Sequence, residues 1–69
     1  MENKQLICDL LLKALQATRK FSDLKSLTYR NISPDEEIVE ADFSNGRVRV
    51  VNVSMDSGIA LIEDIIRQV

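Results

Sequence analysis

A predicted β-hairpin between Ile38 and Val53 constrains the fold of this 69-residue chain more than any other part of its sequence. Asn45 and Gly46 lie between two runs in which apolar and polar residues alternate, and such alternation is typical of half-buried strands. An Asn-Gly pair tolerates the positive φ angles of a type I′ turn, the tight two-residue connection of hairpins. The sequence therefore predicts two antiparallel strands joined at Asn45-Gly46.

This turn predicts a register for the hairpin. With Asn45 and Gly46 as the two central turn residues, Phe43 faces Val48 and Asp42 faces Arg49. Because side chains alternate between the faces of a strand, one face then carries only apolar residues: Val39, Ala41, Phe43, Val48 and Val50. The other face carries polar residues: Glu40, Asp42, Ser44, Arg47 and Arg49.

The alternation fails at the end of the second strand. In this register Asn52 falls on the apolar face, while Val51 and Val53 fall on the polar one. A β-bulge at Val50-Val51 would return Val51 and Val53 to the core. Alternatively, these two valines and Ile38 form an apolar patch on the open face that a partner covers. The sequence leaves both interpretations open.

Two helices are predicted at the ends of the chain. Apolar residues recur at helical spacing from Asn3 to Phe21, with Asn3 as the N-cap, and again from Asp56 to Val69, with Asp56 or Ser57 as the cap. Between the first helix and the hairpin, alternation predicts a short strand over residues 26–31. Alternatively, Leu24 and Leu27 lie three residues apart and could form one helical turn within residues 24–32.

The predicted order is α-β-β-β-α in a single domain over residues 1–69. Three antiparallel strands cannot bury a face alone, so we expect both helices to cover one face of the sheet in a two-layer α+β sandwich. The net charge is only −2, which gives a weak field and argues against a strongly electrostatic partner.

The residue inventory argues against an enzyme. The chain has no His and a single Cys, Cys8, so it lacks the commonest general base, a Cys–His nucleophile and any Cys/His metal spacing. Its two glycines cannot form a phosphate-binding loop. We therefore expect no catalytic, cofactor-binding or metal-binding residues. We read Cys8 as a small buried hydrophobe.

A cytoplasmic location is also expected. The apolar run from Leu6 to Ala17 is interrupted by Asp9 and Lys13, which a signal peptide would not tolerate. The longest uncharged stretch is far shorter than the ~20 residues that span a bilayer.

The first helix has a wider apolar surface than the sheet requires. Its polar side chains occupy an arc of only about 60°, whereas a surface helix commonly has an apolar stripe of about 100° or somewhat more. Cys8, Leu12 and Leu15 are therefore candidates for a contact between chains. The alternative is that the sheet and the second helix of the same chain cover them.

These patterns suggest a small non-enzymatic interaction or accessory module that homodimerises through the first helix, with proteins as its partners and no membrane contact. The predicted contact residues are Cys8, Leu12, Leu15, Ile38, Val51 and Val53. The alternative function is weak nucleic-acid binding through Arg30, Arg47 and Arg49 on the open sheet face. Glu40 and Asp42 share that face, and this weighs against nucleic acid because phosphate binding calls for a basic stripe.

Two resemblances accompany this interpretation. The predicted element order and length resemble the double-stranded RNA-binding domain, but that family relies on basic residues at the start of its last helix, where this chain has Asp56-Ser57-Gly58-Ile59. The C-terminal half resembles a group of short uncharacterised proteins of Gram-positive bacteria and their phages or mobile elements. The second resemblance rests on these segments: Phe43 through Asn45-Gly46, Val51-Asn52-Val53, Asp56-Ser57-Gly58-Ile59-Ala60 and Asp64-Ile65-Ile66. That group has no established activity, so it implies a small accessory protein and transfers no site.

Overall fold

A computed structural model describes residues 3–69 and confirms the predicted α-β-β-β-α order. The three strands form one antiparallel sheet in the order β1-β2-β3. Helix α1 packs on β1, helix α2 packs on β3, and the two helices contact each other. The elements are α1 (Lys4–Gln16), β1 (Leu24–Ser33), β2 (Glu36–Phe43), β3 (Val48–Asn52) and α2 (Gly58–Gln68).

Helix α1 begins as predicted and ends earlier than predicted. The Asn3 side chain accepts a hydrogen bond from the Leu6 N–H at 3.0 Å, which makes Asn3 the N-cap. The helix ends at Gln16 rather than Phe21. Thr18 explains the difference, because its hydroxyl donates to the Leu15 carbonyl at 2.6 Å and accepts from the Phe21 N–H at 3.2 Å. These side-chain bonds compete with the helical ladder and form a turn instead.

The segment after this turn is a strand, so the helical-turn alternative for residues 24–32 is wrong. Strand β1 is longer than the predicted segment and pairs with β2 along its whole length. The pairing is irregular between Leu24 and Ser26, which allows both Leu24 and Leu27 to be buried although they are three residues apart.

The β2–β3 hairpin forms, but its predicted register is wrong by one residue. Val39 pairs with Val51, Ala41 with Arg49, and Asp42 with Val48. The reason is the loop, which has three residues instead of two: the Phe43 N–H donates to the Arg47 carbonyl at 2.9 Å, and the Gly46 N–H donates back to Phe43 at 3.0 Å. Gly46 has a φ of 89°, as expected for the left-handed position of a three-residue hairpin loop.

The shift reverses the faces that the sequence predicts for β3. Val51 and Val53 are completely buried, whereas Val48 and Val50 are exposed on the open face. The β2–β3 pairing runs without a shift from residue 38 to 42, so the predicted bulge at Val50-Val51 is wrong, as is the alternative that puts Val51 and Val53 on the open face. In the observed register Asn52 faces solvent, which avoids the cost of burying its amide beside Val39.

The core lies between the sheet and the two helices. Its buried residues are Cys8, Leu15, Phe21, Leu24, Leu27, Val39, Ala41, Phe43, Val51, Val53, Leu61 and Ile65. Leu61 and Ile65 lie one helical turn apart and provide the inner face of α2, while Ile59 and Ile66 remain exposed. The predicted apolar stripe of α2 is thus buried only along its centre.

Replacing Gly46 with Ala tests the loop geometry. No atom lies within 4 Å of the added Cβ, so the cost is conformational, and we expect a loss of about 1 kcal/mol in the free energy of unfolding because the left-handed region disfavours a Cβ. Urea unfolding measures the change. Ser44→Ala in the same loop is the matched control, and an equal loss in both variants would contradict the assigned role of Gly46.

Candidate interaction surface

The two edges of the sheet differ in how their backbone groups are satisfied. On β1, the Gln5 side chain bonds the outer edge twice: Nε2 donates to the Leu27 carbonyl at 3.2 Å, and Oε1 accepts from the Tyr29 N–H at 2.8 Å. Gln16 Nε2 donates to the Leu24 carbonyl at 2.9 Å. Two amides from α1 therefore occupy the β1 edge as a neighbouring strand would.

The β3 edge has no comparable cover. Two hydrogen bonds to β2 fix which backbone groups of β3 point inwards: the Phe43 N–H donates to the Arg47 carbonyl, and the Val53 N–H donates to the Glu37 carbonyl. With the register between them, every second residue points its backbone groups towards β2, namely Arg47, Arg49, Val51 and Val53. Because these groups alternate along an antiparallel strand, the N–H and C=O groups of Val48, Val50 and Asn52 point outwards. All three residues are exposed, so β3 presents a free edge.

The open face of the sheet is divided into a polar and an apolar part. Its polar part lies on β1 and β2, where Ser26 Oγ donates to Asp42 Oδ2 at 3.0 Å and Arg30 lies 3.8 Å from Glu40. The apolar part lies on β3, where Val48 is 52% and Val50 is 58% exposed. We call Val48, Val50 and Asn52, with their outward backbone groups, the β3 edge surface.

Glu37 ties the opposite end of the sheet to both neighbouring elements. Its carboxylate accepts from Lys4 Nζ at 2.6 Å, from the Tyr29 hydroxyl and from the Met55 N–H at 3.1 Å. The last bond holds Met55 in a left-handed conformation with a φ of 64°. The hydrogen bonds from Lys4, Tyr29 and Met55 lower the pKa of Glu37 from 4.5 to about 2.

Two further carboxyls lie at the start and middle of the last helix. A hydrogen bond between the two carboxyls, with desolvation of Asp56, raises the pKa of Asp56, so Asp56 is the donor and Asp64 the acceptor when one proton is bound. The same bond and the hydrogen bond from Arg67 lower the pKa of Asp64. Across residues 3–69, no group of three or more acidic or Cys side chains is placed to hold a metal ion.

The structure corrects most of the predicted contact residues. Cys8, Leu15, Val51 and Val53 are enclosed in the core of a single chain, and Leu12 packs against that core. Of the six predicted residues, only Ile38 lies on the open face, opposite Arg30 and Asn52. The exposed leucines of α1 are Leu6 and Leu10, because the helix turns its Cys8–Leu15 side inwards.

The three predicted nucleic-acid contacts do not share a face. Arg30 lies on the open face beside Glu40. Arg47 stacks on the Phe43 ring at 4.5 Å, and Arg49 donates to the Gln68 carbonyl at 3.2 Å on the helix side. The same register shift that exposes the valines moves Arg47 and Arg49 away from Arg30.

Cys8 has the properties of a buried apolar side chain. It is free and completely buried, and desolvation, with a smaller contribution from Asp9, raises its pKa to about 11. The thiol is therefore protonated at neutral pH, as its prediction as a small hydrophobe implies.

A shallow cavity lies near the hairpin end of the sheet. Its volume is about 400 Å³, and Lys25, Ser26, Asp42, Phe43, Gly46, Arg47 and Val48 line it. Asp42 bonds Ser26 and Arg47 stacks on Phe43, so these polar groups already have partners within the chain.

Sequence reasoning missed Gln5, Gln16 and Glu37. Glu37 belongs to the acidic run Asp35-Glu36-Glu37, but it alternates in phase with Val39 and Ala41, which places its side chain on the helix side. The two glutamines lie eleven residues apart, three helical turns, so they share a face of α1. The sequence contains no signal that this face lies over the β1 edge.

Within residues 3–69, none of the helices is both long enough and apolar enough to cross a membrane. Comparison of the chain with protein-family models, with curated proteins and with solved structures gives no match. The resemblance to short proteins of Gram-positive bacteria therefore stays a prediction.

The Glu37 bonds predict a pH-dependent stability. In the folded state the pKa of Glu37 is about 2, whereas in the unfolded chain it returns to its ordinary value of 4.5. The stabilisation is thus complete above that value and is lost as the pH falls towards the folded pKa. We expect Glu37→Gln to lower the urea midpoint at neutral pH and to flatten its fall in acid, whereas Glu36→Gln leaves both unchanged.

The Gln5 bonds predict a local effect on the β1 edge. Gln5→Met keeps the length of the side chain and removes both hydrogen bonds to β1, so we expect a loss of about 1 kcal/mol and faster hydrogen exchange of the Tyr29 amide. Gln16→Met is the matched control, because it bonds only the Leu24 carbonyl. Unchanged Tyr29 exchange in the Gln5 variant would show that the edge is protected by other means.

Proposed function

We propose that this protein is a non-enzymatic protein-interaction module that binds by adding a strand to the free edge of β3. The observation that carries the proposal is the contrast between the two edges: Gln5 and Gln16 bond the β1 edge, and nothing within the described chain bonds the β3 edge. A free strand edge is a template on which another strand can pair, and proteins that stay monomeric usually protect their edge strands.

The side chains of β3 support the same mode of binding. Monomeric proteins commonly protect an edge with Lys, Pro, a bulge or an inward charge. Arg47, just before β3, and Arg49, within it, are charged, and both lie on the helix side, where they contact Phe43 and the Gln68 carbonyl of the same chain. On the open side β3 has Val48, Val50 and Asn52, which carry no charge and are all exposed. An added strand would satisfy the outward backbone groups and cover the valines in one step.

The proposal replaces the predicted dimer through Cys8, Leu12 and Leu15. Two of these residues are core residues of one chain and the third packs against them, so their apolar surface is covered without a second chain. It retains the non-enzymatic prediction, supported by a protonated Cys8 thiol and by a Glu37 carboxylate that is ionised and bonded on several sides. It also retains the cytoplasmic location, which suits a free thiol.

The experiment uses a blocked hexapeptide of alternating threonine and valine, titrated into isotope-labelled protein at low micromolar concentration. We expect saturable amide shifts and slower hydrogen exchange at Val48, Val50 and Asn52. The Leu27 and Tyr29 amides on the blocked edge should not respond. A peptide with proline at its fourth position is the control, since proline cannot donate to a ladder.

Replacing Val50 with Lys provides the matched protein variant. Its side chain is 58% exposed, so we expect folding stability within about 0.5 kcal/mol of the wild type and at least a tenfold weaker response to the peptide. Shifts that are scattered over both edges, or that persist unchanged in the lysine variant, would refute strand addition at β3.

A further inference from the structure

We propose that the strand added to β3 is β3 of a second copy of this chain, antiparallel, with a two-fold axis through Val50. This inference rests on the proposed function, since it names the occupant of the same edge. Symmetric two-fold pairs are the commonest assemblies of soluble proteins, and in them each surface must be complementary to itself. The β3 edge surface meets that requirement in its backbone and in the side chains of its open face.

The backbone allows a symmetric ladder. The outward groups belong to Val48, Val50 and Asn52, a set that is symmetric about its middle member. Antiparallel pairing about Val50 places Val50 opposite Val50 of the second copy, and Val48 opposite Asn52 of the second copy. Each of these pairs joins residues whose N–H and C=O groups point towards the partner strand, so every outward group between Val48 and Asn52 is satisfied.

The open face gains an apolar strip without bringing like charges together. Val50 of each copy lies opposite the other, and Val48 of one copy is diagonal to Val50 of the second, within contact range of branched side chains. The charged residues of this face, Arg30 and Glu40, lie on β1 and β2 and pair with each other. The valines that are half exposed in one chain are thus covered by the same residues of another.

On the helix side, the pairing brings two arginines near each other. Arg49 lies opposite Val51 of the second copy and is therefore diagonal to Arg49 of that copy, about 7–8 Å away. Each Arg49 donates to the Gln68 carbonyl of its own chain, and Asp64 is paired with Arg67. The repulsion between the two guanidinium groups weakens the contact.

The blocked β1 edge makes this association finite. Pairing of the two β3 strands gives one continuous sheet whose two outer edges are both β1. Gln5 and Gln16 bond each of those edges between Leu24 and Tyr29, so a third chain cannot pair with this stretch without displacing them. A single free edge therefore produces a closed pair, whereas two free edges would allow a fibre.

The contact is small, because β3 has five residues. Interfaces that bury less than about 1,200 Å² are usually weak and transient. We therefore expect a concentration-dependent dimer, monomeric at low micromolar and dimeric towards millimolar concentration. Sedimentation velocity of the wild type over that range measures it, and Val50→Lys should remain monomeric throughout.

Cysteine cross-linking tests the register. Residues opposite each other in a bonded antiparallel pair have Cα atoms about 5.5 Å apart, within the range that a disulfide spans, so Val50→Cys should form a covalent dimer under mild oxidation with oxidised glutathione. Val48→Cys is the matched control: it has similar exposure on the same face, but two Val48 residues would lie about 14 Å apart across the axis. Buried Cys8 keeps the wild type unlinked.

We expect at least tenfold faster cross-linking of Val50→Cys than of Val48→Cys. Equal cross-linking rates for the two variants would reflect random collision and overturn the proposal. A dimer detected by sedimentation whose cross-linking does not favour Val50→Cys would overturn it as well. A wild type that stays monomeric at millimolar concentration, while the threonine-valine peptide still protects β3, would overturn the second copy and leave strand addition standing. Monomeric behaviour without peptide protection would overturn both.

Discussion

The length of the loop between β2 and β3 decides which surface this protein presents. The bond between Phe43 and Arg47 closes a loop of three residues, with Gly46 in its left-handed position. Because side chains alternate along a strand, this one-residue difference from a two-residue turn moves every β3 side chain to the opposite face. Val51 and Val53 complete the core, and Val48 and Val50 are left outside. The core, the edge and the open face all follow from that register.

The chain covers the wide apolar surface of its first helix without help. Cys8 and Leu15 point into the core, and Leu12 packs against it. Gln5 and Gln16, on a flank of the same helix, bond the β1 edge, so α1 both supplies core residues and blocks a strand edge. A small domain buries a limited share of its surface, and using one helix for both purposes suits that limit. Glu37 adds a polar tie between Lys4 of this helix, β1 and the loop before α2.

The two edges of the sheet differ in their capacity to pair with another strand. One edge is bonded by side chains of α1, and the other has free backbone groups at three residues that are uncharged and exposed on the open face. Unprotected edges are normally selected against because they promote aggregation. In the proposed function, a sheet that is blocked at one edge and free at the other limits strand addition to one partner.

The sequence by itself determined the element order, the α+β class, the Asn3 cap, the hairpin and the inner face of β2, since these depend on local periodicity and capping. The alternation along β2 also places Glu37 on the same face as Val39 and Ala41. The tertiary structure alone decided the register of β3 and the orientation of α1. Both registers of the hairpin bury two valines, and the choice between them depends on the cost of burying Asn52 and on how α2 packs over Val51 and Val53. Likewise, the leucines of α1 surround most of the helix, so only packing against β1 selects the side that turns inwards.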